Sequence, residues 1–152
     1  MRLVFACLTA LSLAGCSFNP GARFAVTASS VEEAAEAATL ISEYRASKGL
    51  GPVSVDTKLN RAALHQARAI AAAGDLDHGD FGGRMAEFAI MGHAAENLTA
   101  GRQTVSEAVR SWKDSPSHNR NMLLPQSRRI GLARADSPSK YRRYWALVLG
   151  SE

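Results

Sequence analysis

The sequence predicts an α+β domain in which helices come first and strands come last. Residues 31–113 hold segments with apolar residues at helical spacing, and two segments rich in β-branched or aromatic residues, RIGLARAD and YRRYWALVLG, follow near the C-terminus. Strands and helices do not alternate, which argues against a parallel doubly wound sheet. A chain of 152 residues suits one domain that can bury a core of its own.

The N-terminal stretch MRLVFACLTALSLAGC is typical of an export signal. Its apolar run, residues 3–13, is too short to span a bilayer as a helix. The ending Leu-Ala-Gly-Cys resembles a bacterial lipobox, whose cysteine is acylated and becomes the first residue of the mature protein. We therefore expect a lipoprotein signal peptide at residues 1–15 and a membrane anchor of acyl chains, such as palmitate, on Cys16. An ordinary signal peptide and a buried helix are the alternatives.

These features predict a place in the cell envelope. Ser17 follows the cysteine where an aspartate would otherwise retain a lipoprotein at the inner membrane, so we expect the outer membrane, with the domain facing the periplasm or the cell surface. Cys7 leaves with the signal, so the mature domain has neither a disulfide nor a thiolate metal site. The net charge of +4 is modest, and the basic residues are not interleaved with aromatic ones. Both features argue against nucleic acid as a partner.

The first half of the chain predicts a tether and two helices. Residues 16–30 comprise the lipidated cysteine and a flexible tether, because they are small, polar and unpatterned. The folded domain is expected at residues 31–152, with Ser30 as the N-cap of its first helix. Asp56 begins the second helix, TKLNRAALHQARAIAAAG, and Gly74 ends it.

The second half predicts two more helices and the strands. The glycine-rich segment DLDHGDFGGRMAEFAIMGHAAENLTAG is expected to form loops with one short helix over residues 84–91. A third helix spans residues 104–113. A fourth starts at the N-cap Ser115, with Pro116 as its first residue. The strands RIGLARAD and YRRYWALVLG are joined by the turn SPSK.

Three residues carry candidate chemistry: His78, Glu96 and His118. His118 is the third residue of a short helix, whose positive end favours a neutral imidazole able to bind a metal or accept a proton. It can equally be structural, packing well and hydrogen-bonding a neighbouring carbonyl. Glu96 lies among small and apolar residues and needs a partner such as a histidine. The three side chains could bind zinc or another divalent ion through two nitrogens and one oxygen. His65 and His93 are read as structural or incidental.

Residues 31–150 resemble a bacterial member of the CAP superfamily, named for cysteine-rich secretory proteins, antigen 5 and pathogenesis-related proteins. The motifs that carry the resemblance are ISEYRASKGLGPVSVD, LNRAALHQARAIAAAGDLDH, AENLTAG, SWKDSPSHNRNML, RIGLA and YWALVLG. Their order and spacing matter more than any one of them. The resemblance implies an α-β-α sandwich, with a central antiparallel sheet flanked by helices and a cleft across one face.

The resemblance also implies a set of cleft residues. Some relatives hold two histidines and two glutamates there, and some of those bind zinc or another divalent ion. By position, His78 matches the first histidine and Glu96 the glutamate of the Gly-Glu-Asn-Leu motif. The second glutamate falls near Asp114 or Ser115, and the second histidine near Tyr144. His118 is expected to reach the same cleft from another wall. The implied cleft set is His78, Glu96, Ser115, His118 and Tyr144.

Departures from the family pattern weigh against catalysis. Ala95 replaces a glycine, and Ala146 with Leu147 replaces a Thr-Gln pair, which implies a more apolar cleft. The sequence therefore favours a non-catalytic module that needs no cofactor and binds a lipid, apolar or cell-wall ligand. The alternatives are a divalent-metal-dependent hydrolase or protease that uses Glu96 as ligand or base, and a structural or protein-interaction role.

Overall fold

The computed structural model describes residues 24–151, so the predicted signal peptide and the predicted acylation site Cys16 lie outside the described residues. Within that range, none of the helices is long and apolar enough to cross a membrane. The elements, in chain order, are β1 (Ala28–Ser30), α1 (Ala34–Ala46), β2 (Ser54–Val55), α2 (Thr57–Ala73), α3 (Phe81–Glu87), β3 (Ala94–Ala100), α4 (Val105–Lys113), α5 (Pro116–Met122), β4 (Arg129–Asp136) and β5 (Arg143–Gly150).

The five strands form one sheet, in which four follow the order β1-β4-β5-β3 with all neighbours antiparallel. The short β2 adds a parallel pairing to β4, at Arg129 and Ile130. The β4 and β5 strands pair along their whole length, from Arg129 opposite Gly150 to Asp136 opposite Arg143. The two C-terminal strands predicted from sequence are thus the centre of the sheet.

Side chains alternate across this sheet and divide the core in two. On one face, Trp145, Leu147 and Leu149 pack with apolar residues of α1, α4 and α5. On the other, Tyr144, Ala146 and Val148 pack with α2 and with Met85 of α3. The sheet therefore lies between two helical layers, and the predicted α-β-α sandwich is confirmed.

The predicted tether is too long at its C-terminal end. Residues 28–30 form β1, with Ala28 opposite Asp136 and Ser30 opposite Arg134 of β4. The Ser30 hydroxyl accepts a hydrogen bond from the Glu32 backbone at 3.0 Å, whereas the N-cap of α1 is Glu33. The folded part thus begins before residue 31, because a short polar segment can pair at a sheet edge without any apolar pattern.

Helix ends that carry a clear cap were predicted well. The Asp56 side chain accepts from the Leu59 backbone N–H at 2.9 Å, and Gly74 closes α2 with a φ of 71°. The helix predicted over residues 84–91 instead spans Phe81–Glu87. Asp80 caps it by accepting from the Gly83 backbone N–H at 2.8 Å. The cap compensates for two glycines in the first turn, which made the sequence look like a loop.

The segment AAENLTA is a strand, which corrects the predicted loop. It forms β3, which pairs with β5 over seven residues from Ala94 opposite Gly150 to Ala100 opposite Tyr144. The residues from Glu96 to Thr99 are all buried, so side chains on both faces of this strand are covered. The flanking Gly92 and Gly101 made the sequence look like a loop. Because the segment is a strand, Glu96 projects from a sheet and not from a loop.

Candidate functional site

Glu96 is the centre of a buried polar cluster on the α2 and α3 side of β3. The residue is only 5% exposed. One carboxylate oxygen, Oε1, lies 2.8 Å from Nδ1 of His78, and the other, Oε2, accepts a hydrogen bond from Nη2 of Arg84 at 2.6 Å. The carboxylate is thus engaged at both oxygens, one by a ring nitrogen and one by a guanidinium.

Arg84 is the buried counterion of Glu96. It lies on α3, is 6% exposed, and also donates from Nη1 to the His78 carbonyl at 3.2 Å. Its Nε has no hydrogen-bond partner within residues 24–151. A buried carboxylate requires such a partner, because an isolated charge in a core costs several kcal/mol. Arg84 therefore pairs with the Glu96 carboxylate and also holds the backbone of His78 in place.

The sequence prediction missed Arg84, although one signal was present. A partly buried Glu96 was expected to need a partner, and Arg84 is the only lysine or arginine between Arg68 and Arg102. The sequence analysis predicted a histidine as that partner, and Arg84 supplies the second contact.

The ring of His78 reaches solvent while it stays in contact with the buried Glu96. Its side chain is 54% exposed, while its Nδ1 faces the Glu96 carboxylate. A carboxylate at that distance favours the tautomer with hydrogen on Nδ1, which leaves Nε2 as an outward acceptor. The buried Gln66 holds the preceding turn by donating to the Asp77 carbonyl. The result is an exposed, oriented imidazole on a rigid support.

His118 approaches from α5, on the opposite side of β3. Its backbone carbonyl accepts a hydrogen bond at 3.0 Å from the side-chain amide of the buried Asn97. The side-chain oxygen of Asn97 in turn accepts from the Asn121 amide at 2.9 Å. Asn121 also donates to the Glu96 carbonyl at 3.2 Å. The main chain of His118 therefore helps dock α5 on β3, and its half-buried ring lies near enough to His78 for the two charges to interact.

Burial lowers the pKa of His118 below its usual value near 6.5, and the charge of His78 lowers the pKa further. The sequence had predicted a neutral ring from the helix end, but the causes here are desolvation and a second histidine.

We expect His118 to titrate below the usual histidine range and His78→Ala to move its midpoint upward, as measured by proton NMR. Its contribution to the free energy of unfolding is fully present above pH 6.5 and declines as the pH falls below that value, because the unfolded chain takes up the proton first. His93→Ala is the control, since His93 is exposed and its substitution leaves both causes in place. A midpoint of His118 that stays unchanged in His78→Ala would contradict the electrostatic contact.

The remaining predicted cleft residues lie in different surroundings. Ser115 is the N-cap of α5, as predicted, and its hydroxyl lies 3.4 Å from that of Ser117. Tyr144 is fully buried, and its hydroxyl pairs with that of Ser139 at 2.6 Å. It lies four residues along β5 from Val148, the partner of Glu96, or roughly 13 Å. Tyr144 therefore lies inside the core and apart from Glu96 along the sheet.

Ala146 and Leu147 also fail to line an open cleft. Both are fully buried, Ala146 against α2 and Leu147 in the core with α1 and α4. Their replacement of a Thr-Gln pair therefore does not create an apolar binding wall, and the expectation of a more apolar cleft loses its basis.

The cluster fits a divalent ion poorly. Metal ligands must offer free lone pairs, but Arg84 occupies one Glu96 oxygen and His78 points its Nδ1 at the other. A cation at this carboxylate would also lie beside a buried guanidinium. Across residues 24–151, no group of three or more histidine, cysteine, aspartate or glutamate residues is placed to hold a metal ion.

The layers, strand order and helix order define a CAP-type domain. The sequence profile of the cysteine-rich secretory protein family, abbreviated CAP, matches residues 38–149, and the chain belongs to that family.

The chain is also similar to one curated protein and to several solved structures, and the latter share its fold. The chain is 29% identical over 106 residues to the uncharacterised protein YkwD of Bacillus subtilis, an alignment that covers 66% of this chain and 41% of YkwD. It superposes on an outer surface protein from Borrelia burgdorferi with a TM-score of 0.70 and 20% identity, covering 86% of this chain and 98% of that one. It also superposes on an extracellular protein with an SCP domain from Bacillus anthracis, with a TM-score of 0.67 and 18% identity. That superposition covers 77% of this chain and 39% of the other.

Proposed function

We propose that this chain is a lipid-anchored envelope module of the CAP family that binds a polar cell-wall ligand without catalysis. The observation that carries the proposal is the complete pairing of Glu96 by Arg84 and His78. With Arg84 on one oxygen and His78 on the other, Glu96 has fewer lone pairs to offer a metal ion or a substrate proton, which weighs against a role as metal ligand or general base. A support that orients an exposed imidazole needs only this pairing, which favours recognition over hydrolysis.

The ligand chemistry follows from the groups that the cluster presents. His78 offers an oriented ring nitrogen at the surface, and His118 offers a second, half-buried ring close by. Two neighbouring imidazoles suit the hydroxyl, amide and carboxylate groups of a cell-wall polymer. A lipid or another apolar ligand is less suited to this site, because the residues expected to make it apolar, Ala146 and Leu147, are buried in the core.

The anchoring part of the proposal rests on the N-terminal sequence. Acylation at Cys16 would hold the domain at a membrane after removal of residues 1–15. Two structural relatives are described as an outer surface protein and an extracellular protein, which supports an extracytoplasmic place for this chain. An outer-membrane position is the version that Ser17 favours.

The binding role predicts that His78→Ala weakens sedimentation with purified peptidoglycan roughly fivefold. Loss of one hydrogen bond to a ligand costs on the order of 1 kcal/mol, and 1.4 kcal/mol is tenfold in affinity. The measurement is co-sedimentation of the chain that begins at residue 16, with Cys16→Ser to remove the acylation site. His93→Ala is the matched control, because it removes an exposed imidazole elsewhere.

Two results would overturn this proposal. Equal binding by His78→Ala and the starting chain would show that the cluster does not recognise the polymer. Release of wall fragments that zinc restores after chelation, and that Glu96→Gln abolishes, would establish the hydrolase alternative instead.

A further inference from the structure

A shallow apolar groove of about 520 Å³ runs along the outward face of α2, on the far side of that helix from the sheet. It is separate from the His78 and Glu96 cluster. The helix supplies residues at the spacings i, i+3, i+4, i+7 and i+8, which form a continuous stripe. The apolar and aromatic lining consists of Val26, Leu64, His65, Ala69, Ala72 and Phe88.

Basic side chains border this groove. Arg61 places its guanidinium 5.6 Å from the centre of the Phe88 ring, and Arg68 donates to the Ser29 hydroxyl at 3.0 Å. Lys58 lies on the same helix and is exposed. Residues 57–73 contain no acidic residue, so the helix presents positive charge around an apolar floor. The acidic residues nearest along the chain are Asp56 on one side and Asp75, Asp77 and Asp80 on the other.

The chain enters the fold at the end of this groove. The Phe24 backbone N–H donates to the carbonyl of Ala72, a groove residue, at 2.9 Å. Seven residues separate Phe24 from Cys16, so the distance between them cannot exceed roughly 28 Å. A lipid on Cys16 would therefore keep the groove close to the bilayer surface.

We infer that the outward face of α2 docks on the anionic surface of the membrane that holds Cys16. The orientation rests on the proposed anchoring, while the affinity of the face for lipid does not. Arg61 and Arg68 suit lipid phosphates, because a guanidinium can donate two parallel hydrogen bonds to an oxyanion. Leu64 and Phe88 meet the boundary between headgroups and acyl chains, as in other basic amphipathic helices at membrane surfaces.

The test uses the unacylated chain that begins at residue 16, with Cys16→Ser, because it contains every described element. Its partition onto vesicles of phosphatidylcholine mixed with phosphatidylglycerol is measured by sedimentation against vesicles of phosphatidylcholine alone. We expect binding to the anionic vesicles only, and a loss of roughly 10- to 30-fold in the double variant Arg61→Gln with Arg68→Gln, since each basic residue near such a surface contributes about 1 kcal/mol.

The matched control is Arg102→Gln with Arg110→Gln, which removes the same charge near α4. It should lower the partition less than about threefold. Equal losses in both double variants, or no preference of the starting chain for anionic vesicles, would overturn the inference. Mass spectrometry of Cys16 in the membrane-derived chain tests the anchor separately, so an absent acyl group would remove the anchoring proposal and leave the vesicle result standing.

Discussion

Gly131→Ala is expected to destabilise the domain by at least about 3 kcal/mol, which exceeds the usual cost of overpacking. Gly131 lies in β4, where the backbone of α2 crosses the sheet. A Cβ at this position would come closer than 3.0 Å to backbone atoms of Leu59 and Asn60. Backbone cannot move aside as a flexible side chain can, so α2 must lift from the sheet. Urea unfolding followed by circular dichroism measures the loss.

The control for this substitution is Gly51→Ala. An added Cβ at Gly51 has no neighbour within 4 Å, and its φ is not positive. We expect it to change the free energy of unfolding by less than about 1 kcal/mol, and the change should be stabilising if alanine fits the local backbone. Similar midpoints for the two variants would show that α2 does not rest on β4 as closely as the structure indicates.

The sequence predicted best those elements whose ends carry their own chemistry. The α2 helix has an aspartate cap, a glycine stop and a regular apolar stripe, and all three lie where the sequence placed them. The central strand β5 is an apolar run after Arg143, as expected for a strand covered on both faces, and β4 is buried from Ile130 to Ala133. The layered arrangement came from the family resemblance, since periodicity alone indicated only two strands.

Elements stabilised by distant partners were not predicted. The β1 strand has no apolar pattern and forms only because the edge of β4 offers it hydrogen bonds. The β3 strand is hidden between glycines and contains Glu96 and Asn97, both buried polar residues whose partners lie on α3 and α5. Propensity cannot reveal such strands, because their stability comes from tertiary pairing.

The candidate site was predicted in part for the same reason. The side chains of His78 and Glu96 are in contact, and both residues were named from the family motifs. Tyr144 was placed by alignment with a histidine of relatives, yet its hydroxyl pairs with Ser139 inside the core. Arg84 was missed because its role depends on a strand that the sequence did not show.

Arg45→Ala is expected to cost roughly 3 to 5 kcal/mol in the free energy of unfolding, because it combines a cavity with unpaired carbonyl groups. Arg45 is fully buried at the end of α1. Its Nε donates to the Gly51 carbonyl at 2.8 Å, and its Nη1 donates to Met122 and Leu124 at 2.8 and 2.9 Å. Its Nη2 donates to Ser127 at 3.0 Å. One side chain thus ties α1 to the loop before β2 and to the connection between α5 and β4.

We expect the several directed N–H donors of the Arg45 guanidinium, more than its charge, to stabilise the contacts between α1 and these two connections. Burial lowers the pKa of Arg45, and the nearby charge of Arg128 lowers the pKa further, so the charge itself is unfavourable here. Arg45→Lys keeps the charge but gathers its donors at one point, so it should recover less than half of the loss measured in urea unfolding. Arg110→Ala, at an exposed position on α4, should stay within about 0.5 kcal/mol of the starting protein. Full recovery by lysine would mean that charge is what matters, and a loss in Arg45→Ala no larger than that in Arg110→Ala would mean that the four carbonyl groups find other partners.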